Sequence, residues 1–266
     1  MKKMKKTDSR KMIYRMVEVA LFASLCFLGT YISIPFGISK VHLGNFICIL
    51  GGFLLGGLVG GLSGAIGMGL NDLVSSYGPD TILRTVIVKF VMGYLAGVLL
   101  RLCLKKKVWK GLFVLSEGGF ITAFVALLTL YVLYGESFEV FGRKFSNSLF
   151  LIVCLGIFVC LNGAMLILSF FIRKDRQWIL LCASFVASVN ILLEFLLKIP
   201  FKMLMASMTF EQAYAYAITS LPSALMTAIV TTLLITLAFY PIYFATRRVN
   251  RFDDLHLSLG REEPKN

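Results

Sequence analysis

Long apolar runs separated by short polar or basic stretches recur along the whole chain, near residues 13–34, 43–57, 59–76, 82–104, 112–134, 147–172, 178–198 and 217–245. Most approach the roughly 20 residues that a helix needs to cross bilayer hydrocarbon. A helix satisfies its own backbone polar groups where no water is at hand, so the pattern predicts an all-α, polytopic integral membrane bundle of about eight helices. Segment 43–76 is the exception in length. As one straight helix it would run about 51 Å, against a hydrocarbon core of about 30 Å, and it is read as two short arms. Within it Gly52, Gly56, Gly60 and Gly64, and the row Gly57, Gly61, Ala65 and Gly69, recur every fourth residue, a spacing that lets helix backbones approach closely inside a bilayer.

Composition agrees: 58% of the 266 residues are hydrophobic and 15% charged, with a mean hydropathy of +0.83, which excludes an ordinary soluble enzyme. The formal net charge of +13 does not point to nucleic acid, because the basic residues sit between apolar spans rather than in an aromatic-interleaved patch. They act as topology signals. With eight spans, the N-terminal Lys2, Lys3, Lys5, Lys6, Arg10, Lys11 and Arg15, the cluster Arg101, Lys105, Lys106, Lys107 and Lys110, the loop Arg173, Lys174 and Arg176, and the tail Arg247, Arg248, Arg251, Arg261 and Lys265 share one face, the cytoplasmic one. A single span at 43–76 would put Lys105–Lys107 outside, so charge and length both favour the split. The chain then divides into a basic cytoplasmic N-terminus (1–12), one membrane domain (13–246) and a cytoplasmic tail (247–266), in the cell membrane. The first apolar stretch is too long for a signal peptide and lacks a small-x-small cleavage site, and Leu25 before Cys26 argues against a lipoprotein.

Little of the chain suits catalysis. Cys26, Cys48, Cys103, Cys154, Cys160 and Cys182 lie in or at the ends of apolar spans without C-x-x-C spacing, as small buried hydrophobes do. His42 and His256 are isolated. No metal-ligand or nucleophile constellation and no phosphate-binding loop occurs, so no catalytic, metal or cofactor residues are expected, and any ATP is hydrolysed by another chain.

Ionisable residues inside spans are the best functional candidates, because a charge far from water is costly unless it faces a cavity or a partner. Asp72, Lys89 and Glu194 qualify, with Asn45, Asn71, Asn162 and Asn190 as polar companions and Arg84 nearby. Asn190, Glu194 and Lys198 are spaced by four and form one stripe on a helix. Asn190 and Glu194 read as substrate contacts, and Lys198 as a residue snorkelling at the membrane surface. Asp72 and Lys89 are either a structural ion pair between neighbouring spans or part of an outward-facing pocket with that stripe. Tyr77, Tyr214 and Tyr216 suit an interfacial aromatic belt or a cover for a heteroaromatic substrate. Segment 199–217 is either interfacial or a lid.

Several of these runs, in this order, resemble the substrate-binding S components of energy-coupling-factor (ECF) vitamin transporters. They are Ala20-Leu21-Phe22-Ala23-Ser24, a loop with Pro35, Val41-His42-Leu43-Gly44-Asn45, Leu54-Leu55-Gly56-Gly57, Gly60-Gly61-x-x-Gly64-Ala65-x-Gly67, Asn71-Asp72-Leu73 and Lys89-x-x-x-Gly93. The similarity is clearest over 13–104 and returns over 178–245, where Leu221-Pro222-Ser223-Ala224 looks like the start of the family's last helix. The resemblance implies capture of a vitamin or vitamin-like small molecule on the outer side, and import with a transmembrane coupling subunit and two ATPase subunits. It also implies that Ala20 and Ser24, a small-x-x-x-small pair in the first span, receive the coupling subunit. Members usually have six spans, so 111–172 is read as an inserted helical hairpin. The alternatives are an autonomous ion-coupled secondary transporter, with Glu194 or Asp72 as proton site, and a membrane-embedded enzyme acting on lipid-like substrates.

Overall fold

The computed structural model describes residues 6–36, 39–105, 110–134, 138–140, 143–145, 149–171 and 174–246. Residues 1–5, Lys106, Lys107, Arg173 and the tail 247–266, to which cytoplasmic positions are assigned above, lie outside these. The elements are α1 (Lys6–Tyr31), β1 (Ser33–Phe36), β2 (Ser39–His42), α2 (Gly44–Leu55), α3 (Gly57–Val74), α4 (Pro79–Leu104), α5 (Lys110–Tyr134), β3 (Phe138–Val140), β4 (Arg143–Phe145), α6 (Leu149–Phe171), α7 (Lys174–Met205), α8 (Phe210–Thr219) and α9 (Leu221–Thr246). Among the described residues five stretches are long and apolar enough to cross a membrane: Met12–Tyr31, Gly57–Val74, Pro79–Leu104, Gln177–Met205 and Phe210–Ala245. The chain is thus an all-α polytopic membrane bundle with two small antiparallel hairpins, β1–β2 and β3–β4.

The two arms expected in 43–76 are α2 and α3. They meet at Gly56, whose φ of 110° lies where a side chain would be strained and glycine is not. The chain reverses there: Gly52 lies against Gly60 and Cys48 against Gly64, pairs symmetric about residue 56, as in an antiparallel hairpin. With 12 residues, α2 spans about 18 Å. Helix α4 then runs back along α3, with Gly93 against Gly60, and Gly57 against Gly97 and the Tyr94 carbonyl. A side chain at any of these points would enter a neighbour's backbone, which is why small residues recur here. Helix α1 lies parallel to α3, where Ser63 Oγ donates to the Val19 carbonyl at 3.2 Å and Gly67 sits against Ala23 and Cys26.

One apolar core joins α2, α4, α7 and α9 around Phe53, Met92, Leu100, Ile179, Val186, Ile235 and Phe239, with the Phe53 and Phe239 rings edge to face at 5.8 Å. A second, smaller core joins α6, α7 and α9 through Phe158, Ile191 and Leu225. Cys26, Cys48, Cys103 and Cys182 are buried free thiols as expected, whereas Cys160 is exposed.

Segment 199–217 takes two forms. Helix α7 continues through Pro200 to Met205, beyond the expected end at 198, and α8 is a separate helix. It starts at a capping box, in which Gln212 N–H donates to Thr209 Oγ1 and Thr209 N–H to Gln212 Oε1, satisfying amides left free by the first turn. Leu221-Pro222 opens α9, where proline is tolerated because the first turn needs no N–H donor.

Candidate functional site

The α3–α4 turn, the end of α7, α8, the start of α9 and the β1–β2 hairpin gather at one end of the bundle. Just beneath it lies a charged triad. Lys89 of α4 donates to Glu194 Oε1, an ion pair, and to Asn190 Oδ1 at 3.2 Å. Asn190 Nδ2 donates to the same Glu194 oxygen at 3.3 Å. The two α7 residues are one turn apart on one face, so a single ammonium reaches both. The Lys89 side chain is 6% exposed and that of Glu194 20%. The pair is therefore held mostly away from water, where each charge depends on the other.

Of the residues singled out from the sequence, Lys89, Asn190 and Glu194 are brought together. The Asp72–Lys89 ion pair does not form: Lys89 is taken by Glu194, while buried Asp72 sits in the field of Lys40, Lys89 and Arg84. Asn71 accepts from Lys40 Nζ at 3.2 Å, leaving its buried Nδ2 without a partner. Asn45 is buried in the first turn of α2 with Oδ1 unpartnered and takes no part in the triad's bonds. Lys198 does not snorkel; it is buried, donates to Ser220 Oγ and lies 5.8 Å from the Tyr216 ring centroid. Tyr216 also carries Lys202 at 4.8 Å, and Lys202 pairs with Asp80 at 2.7 Å, tying the end of α7 to the start of α4. Tyr77 lies under Lys40 at 5.5 Å, and Tyr214 packs edge to face on Phe195. Ala20 and Ser24 are exposed on α1, whereas Ala23 and Gly29 on the same helix are used against α3 and α2.

Sequence reasoning missed Lys40 and His42. They alternate along β2 and so share one side of the strand. His42 Nδ1 is buried without a partner. Burial, with the Lys89 charge second, pushes the imidazole down to about 3, so it stands neutral beside the triad. Glu117 of α5, buried with both carboxylate oxygens unpartnered, was also missed; a lone acid near the start of an apolar run was the signal.

A paired charge, two amide-bearing side chains and a neutral imidazole are thus gathered near one end of a membrane-spanning helical bundle. The model of the family described as "ECF-type riboflavin transporter, S component" matches residues 10–170. The chain belongs to this family of S components, and it is a transporter subunit rather than an enzyme. The match runs through α5 and nearly all of α6 and ends before α7. No curated protein and no solved structure matches the chain.

Proposed function

We propose that this protein captures riboflavin, or a vitamin of the same chemical type, at the end of the bundle that carries Lys89, Asn190 and Glu194. The observation that carries the reading is the triad itself, a donor, an acceptor and an amide offering both, in a chain whose family description names riboflavin. An uncharged heteroaromatic ring with a hydroxylated chain needs directed hydrogen bonds more than a net charge, and the Lys89–Glu194 pair supplies both polarities while remaining neutral overall. Asn71, Asp72 and Asn45 extend the polar wall, and Tyr77 and Tyr216 offer aromatic faces. In this reading the binding end faces outward, both termini are cytoplasmic in the cell membrane, and a transmembrane coupling subunit with two ATPase subunits drives release inward.

Riboflavin fluorescence tests the assignment. Titrating the ligand-depleted, detergent-purified protein should quench the fluorescence saturably at one ligand per chain; absence of saturation in protein of native helicity would sink it. Ala20 and Ser24 are the proposed docking face for the coupling subunit, since a close helix contact cannot absorb added volume. Ala20→Leu and Ser24→Leu should lose partner subunits in pull-down while binding riboflavin normally. Retention of the partners by both variants would move the docking face elsewhere.

A further inference from the structure

Helices α1 and α3 run side by side and touch where Ser63 Oγ meets the Val19 carbonyl and where Gly67 sits against Ala23. Alongside this contact a groove of about 770 Å³ lies between them. Met16 and Ala20 form one wall, and Leu58, Leu62 and Ile66 the other, each row repeating by one helical turn. The one charged lining residue is Arg15, and the rest are apolar. The register of the two contacts sets Arg15 level with the start of α3, so the charge lies toward the N-terminal end of both helices. From Arg15 to Ala23 the groove runs about 12 Å, against about 15 Å for one leaflet's share of the hydrocarbon. Of the five membrane-crossing stretches, the one in α1 is the least covered, 17% buried against 44% or more for the others.

We infer that this groove holds one anionic phospholipid of the leaflet on the N-terminal side of α1, its phosphate on Arg15 and an acyl chain along Ala20, Leu62 and Ile66. An apolar channel about one leaflet deep with a cation at its polar end matches such a molecule in both length and charge. Basic pockets between membrane helices bind anionic headgroups, and Lys6, Arg10 and Lys11 precede Arg15 in the chain, adding positive charge on that side. A zwitterionic headgroup would bring its own ammonium into the same field. The volume falls within the range, about 300–1,000 Å³, of sites that hold one small molecule. Ala20 also belongs to the docking face proposed for the coupling subunit, so the lipid is the occupant of the chain on its own. The assignment does not depend on the vitamin reading.

The test uses the full-length, delipidated, detergent-purified chain without vitamin. Phosphatidylglycerol and phosphatidylcholine carrying the same photoactivatable diazirine acyl chain are added in turn, and labelled peptides are mapped by mass spectrometry. The phosphatidylglycerol probe should label residues 12–23 and 58–66 about fivefold more than the phosphatidylcholine probe does, the scale set by one basic side chain near an anionic surface. It should also favour these peptides over exposed Leu237 and Phe244 on α9. Arg15→Gln, at an exposed position, should bring labelling by the two probes to the same level, and Leu62→Trp should fill the groove and remove both labels from the Ala20 peptide. Even labelling of α9 and the groove in the wild type would leave only the general lipid surround and overturn the site. Equal labelling of the groove by the two probes would overturn the anionic assignment; neither result needs a variant to fold.

Discussion

Glycine does opposite things in two parts of this molecule. In α2–α4 an added Cβ at Gly60 would lie 2.4 Å from the Gly52 backbone, and one at Gly93 would lie 2.5 Å from the Gly60 carbonyl. In α5 and α6 a Cβ at Gly118, Gly119, Gly156 or Gly163 would meet nothing within 4 Å. The first set brings backbones into contact, so α3 and α4, which carry Asn71 and Lys89, are fixed to within a side chain's tolerance. The second set faces open space and brings no helices together, while α6 packs through larger side chains such as Phe158.

The largest expected effect comes from breaking the first region. Gly60→Val would force α2 and α3 apart, where overpacking costs about 1–3 kcal/mol even when only side chains must move, and here backbone must. We expect loss of the monodisperse folded species in size-exclusion chromatography. A normal profile and melting temperature would mean that the α2–α3 contact is not structural.

The second effect removes the charge pairing. Glu194→Gln leaves Lys89 charged and buried without its partner, and breaking such a pair costs about 3–5 kcal/mol. Under the proposed function, riboflavin affinity should also fall at least tenfold, about 1.4 kcal/mol. The double variant Lys89→Met, Glu194→Gln should recover much of the stability but not the affinity. If the single variant melts like the wild type and binds equally well, the triad is ordinary packing.

How far the sequence made this legible depended on range. The glycine rows were readable because four-residue spacing is local, and the Asn190–Glu194 stripe was readable for the same reason. The partner of Lys89 was not, since it lies 105 residues away, and the nearer Asp72 was an equally reasonable candidate. Lys198 was misread because a lysine at the end of an apolar run normally reaches water; Pro200 did not end the helix, and α7 carried Lys198 inward to Ser220. The β1–β2 hairpin has four-residue strands, too short for a periodic signal, so Lys40 and His42 were not recognised as neighbours of the site.

The third effect is pH-dependent. His42 is buried neutral and its affinity for a proton is lowered from 6.5 to about 3, so the fold favours the unprotonated form. Its contribution is complete above about pH 6.5 and is lost progressively as pH falls below that value toward 3, reaching about 2 kcal/mol at pH 5. His42→Gln should flatten the fall in melting temperature between pH 7 and 5. An unchanged acid slope would place the sensitivity on other groups.

The smallest effect belongs to the second region and is the control for the first. Gly119→Ala adds to α5 the same methyl group that Gly60→Ala adds to α3, and alanine is better than glycine in a helix interior by about 1 kcal/mol. With no atom within 4 Å of the new carbon, nothing offsets that gain. The variant should melt at or slightly above the wild-type temperature, while Gly60→Ala melts well below it. Equal destabilisation by the two would show that α5 is packed as closely as α3 and would remove the contrast between the regions.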